Sequence, residues 1–431
     1  MGSDTGRPDV PLLIGLVTSI IGAGGSMRQG KKSWPSAAEW PNLPDELLGM
    51  VRLKLASPRD RVRFAAVCSS WRAAASRQPP PPALPLLLLS PQDEDKEKRL
   101  YCLEDGGMLT VPVTSRLCGM WINGSYDGGW ITAGSMNPGL SVVILNLFSG
   151  VEVELSAKQR RIDCVHHRGP YVAWKIIFSE APTSSSCILA AMTDTCNIAL
   201  CRIGCPDGSW TMEGCERAEL GDMAFCQGKL YGLTSCSENL LRYDIGENKH
   251  GAPVVTAAHP LNVQRRHGPI CNTRCSLDSA SYIFELRGNL AMAVMIRWSE
   301  NHQAFFKVFE LAQSSSKDDA HDYSWVELHN LDDYALFLGP TLSRVVHVPM
   351  GGRGGVERNH IYYSYFRSLY VEEKEFEGKS HLTRSSWGDR MYSREDHNVG
   401  DGEDGVQQIP AIGYYIFGGP YVPMWCFPPD F

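Results

Sequence analysis

From residue 100 to its end, the chain has no stretch with the long, capped 3.6-residue period of an amphipathic helix, which narrows the choice of folds sharply. Short apolar runs follow one another between turn residues instead: RLYCL (99–103), GMLTVPV (107–113), YVAWKIIFS (171–179), CILAAM (187–192) and IALCRIG (198–204). LSVVILNLFSGVEVEL (140–155) sets two β-branched runs around a turn ending at Gly150, a hairpin signal. A parallel βαβ sheet needs crossover helices that these residues do not supply, so an all-β domain is expected.

Two stretches share one plan. GKLYGLTSCSENLLRYDI (228–245) and GNLAMAVMIRWSENHQAFFKVFEL (288–311) each run from Gly-x-Leu through an apolar strand and a polar turn into a second strand. Radial repetition of such units protects sheet edges, as in a propeller. At the roughly 50 residues per blade of kelch-like repeats, the residues after the proline tract hold about six to seven blades. The propeller is expected over 84–431. Its most strand-like passage is WVELHNLDDYALFLG (325–339), a polar, mobile insertion is expected at about 365–408, and aromatic strand residues at 413–429 close the ring.

Gln78-Pro-Pro-Pro-Pro82 makes a stiff spacer over 78–83. It parts the propeller from 39–77, where the pattern is helical. Pro44 suits the first helical turn, where its missing N–H costs nothing, and Asp45 and Glu46 complement the positive end of the dipole. Leu48, Val51 and Leu55 then recur on one face. Ser57-Pro58 ends this helix and opens a second one, expected to be continuous, with Phe64, Val67, Cys68, Trp71 and Ala75 on one stripe. Helices this short are marginal alone and must bury their stripes against each other or a partner. Residues 1–38 show no sustained period and read as a disordered leader; the apolar run at 11–25 lacks the basic flank of a signal peptide and is short for a membrane span.

The composition, 43% hydrophobic and 21% charged, is that of a globular protein, and a net charge of −7 with scattered basic residues gives no nucleic-acid footprint. The 14 cysteines are spread along the chain, which fits free thiols in a reducing compartment, so a cytoplasmic or nuclear location, or both, is expected. No phosphate loop, serine elbow or H-E-x-x-H motif is present. His259, His267, Cys271 and Cys275 do not have zinc-ligand spacing, nor does Cys201 with Cys205. His166-His167 has no partner placed by the sequence, and Gly351-Gly-Arg-Gly-Gly355 reads as a turn. No catalytic residue, cofactor, metal or membrane partner is expected. Cys68 has arginines nearby, but its place on the apolar stripe makes it a packing residue. Asn123-Gly-Ser125 is a glycosylation sequon with meaning only in a secreted protein.

Residues 40–76 resemble an F-box in the Leu43-Pro44 opening, the Glu46-Leu-Leu48 helix, the break at Ser57-Pro58, and Val67-Cys68 followed by Trp71-Arg72. About 83–429 resembles the plant KIB-type, kelch-related β-propeller found behind an F-box. LPLLLLS, LNLFSGVEVEL, GKLYGL, Trp325-Val-Glu-Leu328, Tyr334-Ala-Leu-Phe-Leu-Gly339 and His360-Ile-Tyr-Tyr363 carry that likeness. The resemblance implies a small all-α F-box followed by an all-β propeller. The F-box docks on a Skp-type adaptor and through it a cullin, and the propeller holds an unidentified protein substrate for ubiquitin transfer by another subunit. The residues expected to meet the adaptor are Leu43, Pro44, Leu47, Leu48, Val51, Leu55, Val67, Cys68 and Trp71. Two rival readings are a propeller enzyme or ligand-binding protein with an incidental helical head, and an F-box scaffold outside degradation.

Overall fold

The computed structural model describes residues 43–54, 58–77, 83–89, 97–104, 106–112, 117, 120–135, 141–162, 173–193, 198–205, 208–212, 220–235, 239–265, 280–297, 304–314, 322–350, 355–364, 381–384, 390–396, 409–417 and 423–429. The leader, the proline tract and Leu55 lie outside them. The chain divides into two compact units, one of Met1–Ala83 with Pro429–Phe431, the other Leu84–Pro428.

The first unit contains three described helices: α1 (Asp45–Lys54), α2 (Pro58–Ala66) and α3 (Ser69–Arg77). The expected continuous second helix is in fact broken at Val67-Cys68. The Val67 N–H donates back to the Phe64 carbonyl at 3.2 Å, a tightened last turn, and the run Cys68-Ser-Ser70 offers side chains that compete for backbone donors. Leu48, Val51, Phe64, Trp71, Ala74 and Ala75 form the core. Within it the Phe64 and Trp71 rings lie 4.6 Å apart. An Arg77–Asp45 ion pair ties the end of α3 to the start of α1, and Arg72 Nε donates across the break to the Ala65 carbonyl at 3.2 Å.

The second unit is all β. β1 (Leu86–Leu88), β2 (Glu97–Cys102) and β3 (Met108–Pro112) begin the first sheet. β4 (Met120–Tyr126), β5 (Trp130–Ser135) and β6 (Val142–Asn146) form the second. β7 (Ala173–Phe178), β8 (Ile188–Thr193) and β9 (Ile198–Arg202) form the third. The fourth holds β10 (Leu220–Cys226), β11 (Lys229–Thr234), β12 (Leu240–Glu247) and β13 (Pro253–Pro260). β14 (Val263–Arg265) crosses to the fifth sheet, where it lies parallel to β18 (Tyr323–Leu328) beside β15 (Ala280–Leu286), β16 (Asn289–Arg297) and β17 (Ala304–Gln313). The sixth has β19 (Tyr334–Leu338), β20 (Arg344–His347), β21 (His360–Ser364), β22 (His381–Arg384), β23 (Arg390–Asp396) and β24 (Ala411–Phe417). The last strand, β25 (Met424–Cys426), returns to pair with β1.

One expectation changes. The polar tract at 365–408 is not insertion throughout: β22 and β23 pair antiparallel, and β23 pairs with β24. WVELHNLDDYALFLG is two strands in two sheets, parted where Asp332 takes φ 53°. The hairpin at 140–155 is present, although its second arm touches β6 by a single bridge, Leu145 to Glu152.

Successive sheets share apolar cores. Leu100 and Ile131 join the first to the second, Ile144 and Leu189 the second to the third, and Ala190 and Met223 the third to the fourth. Leu233 and Met292 join the fourth to the fifth, Phe306 and Tyr363 the fifth to the sixth. Phe337 and Tyr362 meet Trp425 of the first sheet, so the order is cyclic and the arrangement is a β-propeller. Strands lying between two of these cores therefore bury both faces. In β16, Ala291, Ala293 and Met295 enter one core while Leu290, Met292 and Val294 enter the other, which is why the sequence reads as apolar runs without alternation.

The ring is closed by side chains as well as by β1 and β25. Trp425 Nε1 donates to the Leu338 carbonyl at 2.8 Å, and Ser125 Oγ donates to the Trp425 carbonyl at 3.0 Å. The innermost strands approach closely. β7 and β10 carry a bulge at their start and β4 one at its middle, and at Gly124 a Cβ would collide with the Ile176 carbonyl of β7. Next to this contact lies a buried ion pair, Lys175 Nζ to Asp222 Oδ1 at 2.5 Å, with the two side chains 3% and 5% exposed. Asp222 also accepts the Met223 N–H at 2.8 Å and, through Oδ2, the Ile283 N–H at 2.9 Å, so one carboxylate ties together β7, β10 and β15.

Candidate docking surface

The helical unit sorts its apolar side chains by depth. Leu48, Val51 and Trp71, expected at the adaptor contact, are buried in the unit's own core. Pro44 is exposed, while Leu43 and Leu47 are half-buried. The Leu47 and Leu48 N–H groups both donate to the Pro44 carbonyl, at 3.0 and 3.1 Å, so the first helical turn opens on the proline. Val67 is 40% exposed in the break between α2 and α3. Met50, which lies off the 48, 51, 55 face, is 50% exposed. A second apolar stripe, at 43, 47 and 50, was the signal for it.

Cys68 is not on a continuous helical stripe. It sits at the start of α3, half-buried, with Sγ 3.0 Å from Ser70 Oγ. Burial pushes its thiol up, but the Ser70 hydroxyl, the N–H groups of Trp71 and Ser70 and the charge of Arg72 outweigh it and bring the thiol below its ordinary value. Burial lifts Cys187 to about 11 and Cys201, Cys226 and Cys426 to about 12.

In the propeller, His259 Nε2 lies 2.7 Å from Asp244 Oδ2 across β12 and β13, and His267, Cys271 and Cys275 fall outside the described residues. So do His166, His167 and Gly351 to Gly354. Among the described residues no group of three His, Cys, Asp or Glu side chains is placed to hold a metal, and no helix is long and apolar enough to cross a membrane. Asn123 is buried, its Oδ1 accepting the Thr132 hydroxyl at 2.8 Å, so the sequon is part of the β4–β5 core.

Residues 100–400 match the KIB1-4 β-propeller family. The chain belongs to that family. Residues 40–78 match the F-box-like family, so the helical unit is an F-box-like domain ahead of a KIB1-4 propeller. A putative F-box protein of Arabidopsis thaliana is 24% identical over 337 residues, covering 76% of this chain and 85% of its own length. An F-box protein of the same plant is 47% identical over 38 residues, 9% of each chain. The crystal structure of a substituted AofleA from Arthrobotrys oligospora covers 57% of this chain and 68% of its own at 12% identity and a TM-score of 0.30. The α-L-arabinanase of Cellvibrio cellulosa with arabinohexaose covers 58% of this chain and 96% of its own at 10% identity and a TM-score of 0.27.

Proposed function

We propose that this KIB1-4 family member is the substrate-recognition subunit of a cullin-based ubiquitin ligase. Its F-box-like unit docks on a Skp-type adaptor and through it a cullin, and its propeller holds a protein target. The observation that carries the reading is the joining, in one chain, of an F-box-like unit to a closed propeller. A short helical unit presenting apolar side chains suits docking in a partner's groove, while a ring with shared cores is a rigid platform for recognition. The chain does no chemistry itself in this scheme; ubiquitin transfer belongs to another subunit. It works in the cytoplasm, the nucleus or both, which a fluorescent fusion tests.

The experiment is co-purification with a Skp-type adaptor and a cullin. Wild-type chain retains both, and Leu43→Ala with Pro44→Ala loses both. Equal retention by the double variant refutes the docking assignment.

A further inference from the structure

Three buried hydroxyls, Thr341 Oγ1, Ser343 Oγ and Ser364 Oγ, have no hydrogen-bond partner among the described residues, and their residues are 3%, 8% and 0% exposed. No other buried serine or threonine hydroxyl among the described residues is left in that condition, and all three fall in one place. Thr341 and Ser343 stand two apart on the turn that joins β19 to β20, and Ser364 ends β21. Leu338 pairs with Tyr363 in parallel register, which brings Ser364 beside Gly339 at the start of the turn. A Cβ at Gly339 would stand 3.3 Å from Ser364 Oγ, 3.4 Å from the Leu342 carbonyl oxygen and 3.0 Å from Trp425 Cδ1. Gly339 does not have a positive φ, so space and not backbone conformation excludes a side chain there. The turn lies at the seam where the sixth sheet meets Trp425 of the first, and Leu342 packs against that same core.

A buried hydroxyl without a partner keeps its full desolvation penalty, and three at one seam would oppose closure of the ring. The groups around them are neutral. The Leu342 carbonyl is at hand, Trp425 Nε1 is spent on the Leu338 carbonyl, and the Arg344 charge is matched by Asp127. No carboxylate occurs from Tyr334 to Val345, so nothing in the turn balances a bound cation, which would also leave the hydroxyl protons without acceptors. A water molecule accepts from a hydroxyl and donates to a hydroxyl or a carbonyl, and a buried one takes about two to four such polar partners. We propose that the β19–β20 turn is a binding site for ordered water, held by the Thr341, Ser343 and Ser364 hydroxyls and the Leu342 carbonyl. The ring then closes at this seam through water as well as through Trp425.

The sign of a stability change tests this, because removing a hydroxyl that holds water and removing one that is dry have opposite effects. The full chain is compared with its Ser364→Ala, Ser343→Ala and Thr341→Val forms by thermal unfolding, and the wild-type chain is crystallised to high resolution. The expected result is a melting temperature lower by about 2 °C for each substitution, since each leaves a water short of a partner. In the crystal, an ordered oxygen is expected within about 3.0 Å of Ser364 Oγ. Melting temperatures that stay level or rise on removal of the hydroxyls overturn the inference, and so does electron density in which the three hydroxyls bond only to protein groups. Wild-type melts in sodium, potassium and choline chloride at one ionic strength are expected to coincide. A melt raised by one metal ion alone makes the occupant a cation and overturns the assignment to water.

Discussion

Replacement of either member of the Lys175–Asp222 pair tests how the inner strands are held together. The two substitutions are not equivalent. Asp222→Leu strands a buried ammonium, at about 3–5 kcal/mol for breaking one side of a buried pair. It also removes the acceptor of the Met223 and Ile283 N–H groups, at about 1–3 kcal/mol for each donor left unpaired. The total is roughly 5–11 kcal/mol, comparable to the whole stability of an ordinary domain at about 5–15 kcal/mol. Lys175→Met leaves a carboxylate that still accepts two N–H groups, so its cost stays near the low end of the buried-pair range, about 3 kcal/mol. The combination of Lys175→Met with Asp222→Leu removes the stranded charge but not the two orphaned donors, which leaves a loss of about 2–6 kcal/mol, smaller than that of Asp222→Leu alone. Urea unfolding of the full chain, followed by tryptophan fluorescence, gives the three values. Equal losses for the two single variants, or a double variant as stable as wild type, would refute the idea that Asp222 serves three strands.

Trp425→Ala removes a fully buried ring and the bond to the Leu338 carbonyl, and is expected to cost about 3–5 kcal/mol in the same assay. Gly124→Ala forces β4 away from the Ile176 carbonyl; a lowered melting temperature is expected, and an unchanged one contradicts the close approach. Cys68 is expected to react with iodoacetamide at neutral pH ahead of Cys187, Cys201, Cys226 and Cys426, because the folded chain favours its thiolate and disfavours theirs. Mass spectrometry over a pH series checks the order, and faster labelling of a buried thiol defeats it.

The repeated units at Gly228 and Gly288 were visible in the sequence because each begins at a turn that needs positive φ. What remained hidden was the residue before each glycine. Gln227 and Arg287 adopt φ 50° and 52°, making two-residue turns of the type usually signalled by Asn-Gly or Asp-Gly. Without that cue, the sequence does not mark β10 and β15 as the first strands of their sheets. The break at Val67-Cys68 is hidden in the sequence for a different reason. Phe64, Val67 and Trp71 do keep helical spacing, and the competing signal is only a Cys-Ser-Ser run that also occurs inside helices. Amphipathic spacing also located the apolar residues of α1 without saying which of two stripes would be covered, since Leu47-Leu48 supplies one residue to each. The Lys175–Asp222 pair depends on neighbouring sheets and has no local signature beyond two charges within apolar strands.

The pairing of β1 with β25 also joins segments that are synthesised far apart in time. Leu86–Leu88 leaves the ribosome well before its partner Met424–Cys426 is made. At about 5–20 residues per second this leaves one edge of the first sheet unpaired for some tens of seconds, with Trp425 still absent from the core between the first and sixth sheets. An open apolar edge of this kind invites pairing with another chain. The nascent propeller is therefore open to misassembly until Met424–Cys426 has been made, and a chain lacking those residues would keep that open edge permanently.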